Sequence, residues 1–166
     1  MPNIRHEVLI GATDEHVFRA ISSQEGLAGW WTRDAKATPT RGSVARFPFG
    51  PTYFKEMEIT DITPSTHVAW KCITGCDEWV GTTISFELQS GSKDALLESR
   101  YELAGQIQQL QHAEGTLVIF HHDGWREDTP MLAECNYTWG QFLRSLKLLC
   151  ETGTGRPWPH QHRSEP

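Results

Sequence analysis

The sequence predicts an α+β domain in which a curved antiparallel β-sheet wraps around one long C-terminal helix, with two short helices after the first strand. Three observations lead to this fold class. A long amphipathic stretch lies near the end of the chain, a series of strand-like runs separated by turn residues precedes it, and the first strand leads directly into two short helical segments. Laying the long helix across the apolar face of the sheet buries both apolar surfaces, so it is the economical way to pack these elements.

The C-terminal helix has the clearest pattern. Thr129 is a suitable N-cap, and Pro130 follows at the first helical position, where its missing N–H costs nothing. Apolar residues then recur at intervals of three or four, which is the spacing of one helix face; they are Leu132, Cys135, Trp139, Phe142, Leu146 and Leu149. Gly153 ends the helix, and Pro157 prevents it from resuming.

The beginning of the chain predicts a strand and two short helices. Residues 5–10 alternate between two faces, as a β-strand does. Thr13 or Asp14 is placed to cap the helix that follows, and a second short helix carries the adjacent pair Trp30 and Trp31. Because these helices come directly after the first strand, we expect them at one end of the sheet.

Five further strands are predicted at about residues 44–49, 53–62, 67–73, 79–89 and 116–122. Alternate residues are apolar in the fourth of these runs, so we expect a sheet with one buried face and one solvent-exposed face. Residues 90–114 read as an insertion, in which apolar residues at helical spacing predict a helix over about residues 95–112. The predicted domain covers residues 1–157, and residues 158–166 are expected to form a flexible tail.

The composition argues against several classes of partner. The 166 residues carry a net charge of −6, and the basic residues are scattered, so nucleic acid is not expected as a partner. No apolar run reaches the roughly 20 residues of a membrane span, and no signal peptide is recognisable, so a cytoplasmic location is expected. The four cysteines are therefore expected as reduced thiols. Cys72 and Cys76 have no second pair to complete a zinc site, so neither a metal nor another cofactor is predicted.

Three stretches of the chain resemble a known family: residues 23–32 (SQEGLAGWWT), residues 115–125 (GTLVIFHHDGW), and residues 136–153, which begin NYTWG. With the order of the elements, they resemble the helix-grip superfamily, also called SRPBCC, which includes START-like and birch-pollen-allergen-like proteins. Within it, the chain is most similar to the C-terminal domain of the activator of heat shock protein 90 ATPase. The resemblance spans about residues 3–157 and implies a helix-grip fold with a cavity between sheet and helix. The eukaryotic co-chaperone also has a separate N-terminal docking domain, which is not expected within these 166 residues, so the resemblance does not imply the co-chaperone role.

The candidate ligand-binding residues are those expected to face inward between the sheet and the long helix, or to lie on the short helices at the cavity mouth. They are Trp30, Trp31, Trp70, Ile84, Phe86, Phe120, His122, Trp139 and Phe142. Ordinary core packing is the alternative for each of them, because aromatic stripes commonly fill cores. If Phe120 and His122 share the inner face, His122 points into the cavity near its rim, where it could contact a ligand or act as a base.

Three functions remain open at this point. The first is binding of a small hydrophobic or amphipathic molecule, such as a lipid or an aromatic metabolite, and it is favoured because no catalytic motif is present and no catalytic residue can be assigned. The second is an enzyme of the polyketide cyclase/dehydratase kind that uses the same cavity. The third is a protein that interacts with a chaperone or a regulator through an exposed apolar patch, which Trp79 or Trp125 could provide. Exposed sheet edges could also support a homodimer.

Overall fold

The computed structural model describes residues 2–164, so Met1, Glu165 and Pro166, at the ends of the predicted domain and tail, lie outside the described residues. In chain order the elements are β1 (Ile4–Ile10), α1 (Asp14–Ser22), α2 (Gln24–Trp30), β2 (Val44–Pro48), β3 (Phe54–Thr63), β4 (His67–Thr74), β5 (Thr83–Ser92), α3 (Lys93–Ser99), α4 (Ala104–Gln108), β6 (Glu114–Asp123) and α5 (Pro130–Thr152). A short 3₁₀ turn, Tyr101–Leu103, separates α3 from α4.

The six strands form one antiparallel sheet in the order β1-β6-β5-β4-β3-β2. Helix α5 packs across its inner face, where the ring centroids of Phe120 on β6 and Trp139 on α5 are 4.5 Å apart. Helices α1 and α2 follow β1 directly and contact α5. The predicted fold class, with the long helix held by the curved sheet, is confirmed.

Local capping explains where the helices begin and end. The Thr13 side chain accepts a hydrogen bond from the His16 amide at 3.1 Å, and the Thr129 side chain accepts one from the Leu132 amide at 3.2 Å. Gly153 adopts a φ of 86° after α5, a left-handed conformation that glycine tolerates without steric cost. Thr13, rather than the alternative Asp14, is therefore the cap of α1, and both predicted ends of α5 are confirmed.

The insertion does not contain the single helix predicted over residues 95–112. It folds instead as α3, the 3₁₀ turn and α4, because the backbone leaves helical geometry at Arg100, where φ is −141° and ψ is 64°. The helical spacing that suggested one helix has another cause, since these apolar residues cover the outer face of the sheet. They form a second buried cluster made of Leu9, Leu96, Leu103, Ile107, Leu110, Leu117 and Ile119. Strand β6 is consequently buried on both faces, and the outer face is only partly exposed to solvent.

The insertion also occupies the free edge of β1. The Gln106 side chain bridges two backbone groups of that strand, because its Oε1 accepts from the Leu9 amide at 2.8 Å and its Nε2 donates to the Glu7 carbonyl at 3.1 Å. Lys147 of α5 donates to the Leu9 carbonyl at 2.6 Å. An unpaired strand edge is a template for pairing with another chain, so these side chains shield β1 from strand addition.

Replacing Gln106 by alanine is expected to lower the free energy of unfolding by about 1–2 kcal/mol, because Leu9 is fully buried and its amide would lose its partner. Chemical denaturation measures the difference. Gln111→Ala is the matched control, since the Gln111 side chain is exposed and bonds only to the nearby Gln109 carbonyl. Equal stability of the two variants would contradict the role of Gln106.

Across residues 2–164, none of the helices combines the length and the apolar character needed to cross a bilayer.

Candidate functional site

A cavity of about 560 Å³ lies between α5, the β2–β3 hairpin, the loop after β4 and the segment that follows α5. Volumes of a few hundred Å³ are typical of small-molecule sites. The lining residues are mainly aromatic or apolar: Trp31, Phe49, Tyr53, Lys55, Cys76, Trp79, Met131, Glu134, Cys135, Thr138, Trp139, Phe142, Trp158 and Gln161. Met131 is 41% exposed and Glu134 is also exposed, so these two residues mark the side of the cavity that meets solvent.

The two adjacent tryptophans after α1 have separate roles. Trp30 is buried in the core, and its Nε1 donates to the Ala20 carbonyl at 2.8 Å. Trp31 lines the cavity, and its ring centroid lies 5.3 Å from that of Trp139 and 5.8 Å from that of Trp70. Since rings packed this closely cannot turn freely, this side of the cavity is preorganised.

Three of the nine predicted ligand-binding residues line the cavity, namely Trp31, Trp139 and Phe142. The other six lie behind it as buried core: Trp30, Trp70, Ile84, Phe86, Phe120 and His122. Phe86, expected to line the hollow between sheet and helix, packs in the core between Trp70 and Phe120, and its ring centroid lies 5.3 Å from the first and 5.2 Å from the second. The cavity is consequently displaced toward the β2–β3 hairpin and the end of the chain.

His122 is placed in the core and not at the cavity rim. Its Nδ1 accepts a hydrogen bond from the Trp139 indole at 3.1 Å, and because an indole N–H can only donate, the imidazole proton must reside on Nε2. Nε2 then donates to Thr82 Oγ1 at 2.8 Å, and Thr82 donates to the Trp79 carbonyl at 2.6 Å. Both ring nitrogens are occupied, so His122 has no free lone pair to act as a general base.

Burial keeps His122 uncharged. Desolvation, with a smaller contribution from the positive charge of Lys55, lowers the pKa of His122 to about 3. Protonation of Nδ1 would also place two donors face to face, since the Trp139 indole already points at that atom. His122 is therefore a neutral structural residue that connects β6 to α5.

Lys55 is the basic side chain among the cavity-lining residues. It lies opposite Phe47 in the β2–β3 register, on the same face as the buried Met57, which lies opposite Ala45. Its Nζ is 4.2 Å from the ring centroid of Phe49. No carboxylate of residues 2–164 lies within 4.0 Å of Nζ. Burial lowers the pKa of Lys55.

Other polar groups of the cavity are held in place. The Tyr53 hydroxyl accepts a hydrogen bond from the Cys76 amide at 3.0 Å, and burial raises the pKa of Tyr53 to about 12, so the phenol stays protonated at neutral pH. Cys135 Sγ accepts from the Trp79 indole at 3.3 Å. All four cysteines of the chain are free thiols, and burial raises the pKa of Cys135. Among residues 2–164, no group of three or more acidic, histidine or cysteine side chains is arranged to hold a metal.

The C-terminal segment, defined here as residues 153–164, contributes to the cavity. The Trp158 amide donates to the Trp31 carbonyl at 2.7 Å, and the Trp158 ring meets the Phe49 ring edge-on at a centroid distance of 5.8 Å. Arg144 of α5 donates to the Gln161 carbonyl at 3.2 Å. The predicted domain boundary at residue 157 therefore falls immediately before a residue that packs against the domain.

Sequence reasoning missed most of the cavity residues. Lys55 had a usable signal, because it shares the two-residue alternation of the buried Met57 and Ile59, and a cation on the apolar face of a strand is unusual. The sequence predicts a strand that begins at Trp79, whereas β5 begins at Thr83 and Trp79 lies in the preceding turn. Trp158 offered no periodicity from which its packing could be inferred.

Two aromatic residues considered for a protein-binding patch are buried. Trp79 is 5% exposed and Trp125 is 1% exposed. The interpretation of either residue as the centre of an exposed apolar patch is wrong, because their rings pack against each other and around His122.

Comparison with known proteins identifies the family. The model of the family "Activator of Hsp90 ATPase homolog 1-like protein" matches residues 11–151. The chain belongs to this family. The match covers α1 to α5 and so includes the cavity residues of the hairpin and of α5, whereas Trp158 and Gln161 lie beyond it. The predicted resemblance is confirmed.

Solved structures agree with membership of the Activator of Hsp90 ATPase homolog 1-like family. The solution structure of the Aha1 dimer from Colwellia psychrerythraea is 31% identical, with a TM-score of 0.74 over 93% of this chain and 100% of that chain. Protein MLL2253 from Mesorhizobium loti is 15% identical, with a TM-score of 0.68 over 89% of this chain and 96% of that one. DynU16, described as a putative protein in the dynemicin biosynthetic locus, is 19% identical, with a TM-score of 0.66 over 92% of this chain and 48% of that one. The last two share the fold alone. No curated protein matches the chain significantly.

Proposed function

We propose that this family member binds a small, largely apolar ligand in the cavity beside α5. The observation that carries the proposal is the 560 Å³ aromatic cavity, whose residues Trp31 and Trp139 are locked by packing on their far sides. A preformed apolar cavity binds without the cost of ordering its walls. A lipid chain or an aromatic metabolite fits this chemistry.

The expected affinity is moderate. A ligand that buries about 300 Å² of apolar surface gains about 7 kcal/mol at 25 cal/mol per Å². Losses of translational and rotational freedom offset part of this gain, so a dissociation constant in the micromolar range is expected.

Binding can be measured with N-phenyl-1-naphthylamine, a neutral aryl probe whose fluorescence rises in apolar surroundings. We expect a saturable rise in its emission together with quenching of tryptophan fluorescence, because Trp31 and Trp139 line the cavity. Trp158→Ala should weaken binding about tenfold, since it removes one aromatic wall worth about 1.4 kcal/mol of contact.

Tyr137→Ala is the matched control for this experiment. Tyr137 lies on α5, is 67% exposed and does not line the cavity, so its loss should leave probe affinity unchanged. Absence of saturable binding to the wild-type protein would overturn the proposal. Equal weakening by the two substitutions would place the probe outside the cavity.

The enzymatic alternative has less support. It was expected to use His122 as a proton-transferring group, and both nitrogens of that residue are occupied within the core. The similarity to DynU16 is one of fold and carries no activity to this chain. Binding, rather than cyclisation or dehydration, is therefore the function that we propose.

The predictions of a homodimer and of a protein partner remain open. The Colwellia relative is described as a dimer. In this chain Gln106 occupies the β1 edge, and the Lys36 backbone pairs with Arg46 on the outer side of β2. If this protein dimerises, we propose that it does so through a surface other than these two sheet edges. Sedimentation tests this, because the Gln106→Ala variant should then have the same oligomeric state as the wild type, whereas a dimer formed only by the variant would show that the β1 edge can pair.

A further inference from the structure

We propose that Lys55 makes the cavity selective for amphipathic anions, that is, for molecules with an apolar body and one carboxylate or similar acidic group. This inference rests on the proposed function, because it names the class of ligand that the same cavity prefers. The apolar body would lie among the aromatic residues beside α5, and the acidic group would pair with the Lys55 ammonium.

Holding the Lys55 ammonium at this position is energetically unfavourable unless a negatively charged group pairs with it. The side chain projects from the apolar face of β3, opposite the fully buried Phe47. Lys55 is partly buried, so water compensates its charge only in part, and no carboxylate of the described residues is within 4.0 Å of Nζ. Glu134 is the acidic residue of the cavity lining, and it is exposed at the mouth rather than paired with Lys55.

Aromatic rings hold the ammonium without neutralising it. Besides Phe49, the ring centroids of Trp79 and Tyr53 lie 4.5 Å and 4.7 Å from Nζ. Ring faces attract a cation electrostatically, and they also restrict where it can move. The charge is thereby fixed in position and kept available to a ligand, which is the preorganisation that favours binding of an anion over a neutral analogue.

A second polar atom supports recognition of a ligand with a polar end. Gln161 Oε1 is buried and has no hydrogen-bond partner among residues 2–164, and Gln161 lines the same cavity. A buried acceptor without a partner is unfavourable, so rotation of the Gln161 side chain that turns Oε1 toward a hydroxyl or amide donor of the ligand would stabilise the complex. Lys55 thus selects the charge, and Gln161 can read a neighbouring donor group.

The test compares two competitors of similar shape, the anion 2-naphthoate and the neutral ketone 2-acetonaphthone, neither of which carries an N–H or O–H donor at neutral pH, for displacement of N-phenyl-1-naphthylamine from the wild-type protein. We expect naphthoate to compete at least about tenfold more strongly, which is the magnitude of a charge-assisted hydrogen bond. Equal competition would overturn the inference. Failure of the reporter itself to bind would instead overturn the proposed function, so the two failures are distinguishable.

Variants assign the preference to Lys55. Lys55→Met should abolish the advantage of naphthoate, which is measured as the ratio of the two competition constants within the same variant, so that a change in reporter affinity cancels. Methionine packs well among aromatic rings, which favours folding of this variant. Lys55→Arg should retain the advantage. Lys71→Met is the matched control, since Lys71 is exposed on β4, and it should change neither competitor. Persistence of the naphthoate advantage in Lys55→Met, or its loss in Lys71→Met, would contradict the role of Lys55. If Lys55→Met does not fold, the wild-type competition and Lys55→Arg still decide the question.

Discussion

Replacing Trp139 by alanine is expected to lower the free energy of unfolding by about 4 kcal/mol, the range found for removal of a buried tryptophan. Trp139 is 2% exposed and lies where the sheet, α5 and the cavity meet. Its ring centroid is 4.5 Å from that of Phe120 and 5.3 Å from that of Trp31. The substitution also removes the donor to Nδ1 of the fully buried His122.

Trp139→Phe separates the two contributions. It keeps an aromatic ring and removes the N–H, so it should cost about 1–3 kcal/mol, mainly through the unpaired imidazole nitrogen and the smaller ring. Denaturant titrations of both variants measure the difference. Tyr137→Ala, on the solvent-exposed side of α5, should change stability by less than about 0.5 kcal/mol. Equal losses for Trp139→Ala and Trp139→Phe would show that ring packing is not the larger contribution.

The wild-type protein is expected to lose stability steadily as the pH falls below 6.5. The pKa of His122 is about 3 in the folded protein and 6.5 when the residue is exposed to water. Between these values the unfolded chain binds a proton that the folded chain does not, so acidification favours unfolding. One such group gives a slope of about 1.4 kcal/mol per pH unit in that window, and above pH 6.5 it gives none.

His122→Gln tests this origin because glutamine does not titrate. The variant should be less stable at pH 7, since glutamine does not reproduce the hydrogen bonds that the imidazole ring of His122 makes to Thr82 and Trp139. Its unfolding free energy should, however, depend less steeply on pH between 6.5 and 4, in free-energy curves measured by denaturant titration. His16→Gln, at an exposed position in α1, should keep the wild-type slope. A slope in His122→Gln as steep as that of the wild type would assign the acid sensitivity to other groups.

The fold could be predicted from the sequence because its main elements carry strong local signals. Helix α5 has an N-cap at Thr129, a proline at its first position, a long apolar stripe and a terminal glycine, so several independent requirements agree. Apolar and polar residues alternate along the strands wherever only one face of the sheet is buried. The prediction was wrong in the insertion, where the apolar residues satisfy helical spacing although they pack onto the outer face of β1 and β6 around a break at Arg100.

The cavity was only partly predictable because it lies where regular elements end. Trp31 and Trp139 sit on predicted helical segments and were found. Trp79 and Trp158 come from a turn and from the segment after α5, and their positions depend on tertiary contacts that no periodicity records. The resemblance to the family indicated a hollow between sheet and helix. Tertiary packing determines which aromatic side chains fill the interior and which line the cavity. Phe86 is an example, because it packs between Trp70 and Phe120 in the core.

The sheet separates two apolar clusters, one beneath α5 with the cavity and one beneath the insertion on the outer face. Tyr101 stands on that outer side and is 79% exposed. A spectroscopic label attached at position 101 would therefore report on the outer face of the sheet without replacing a residue of the cavity lining.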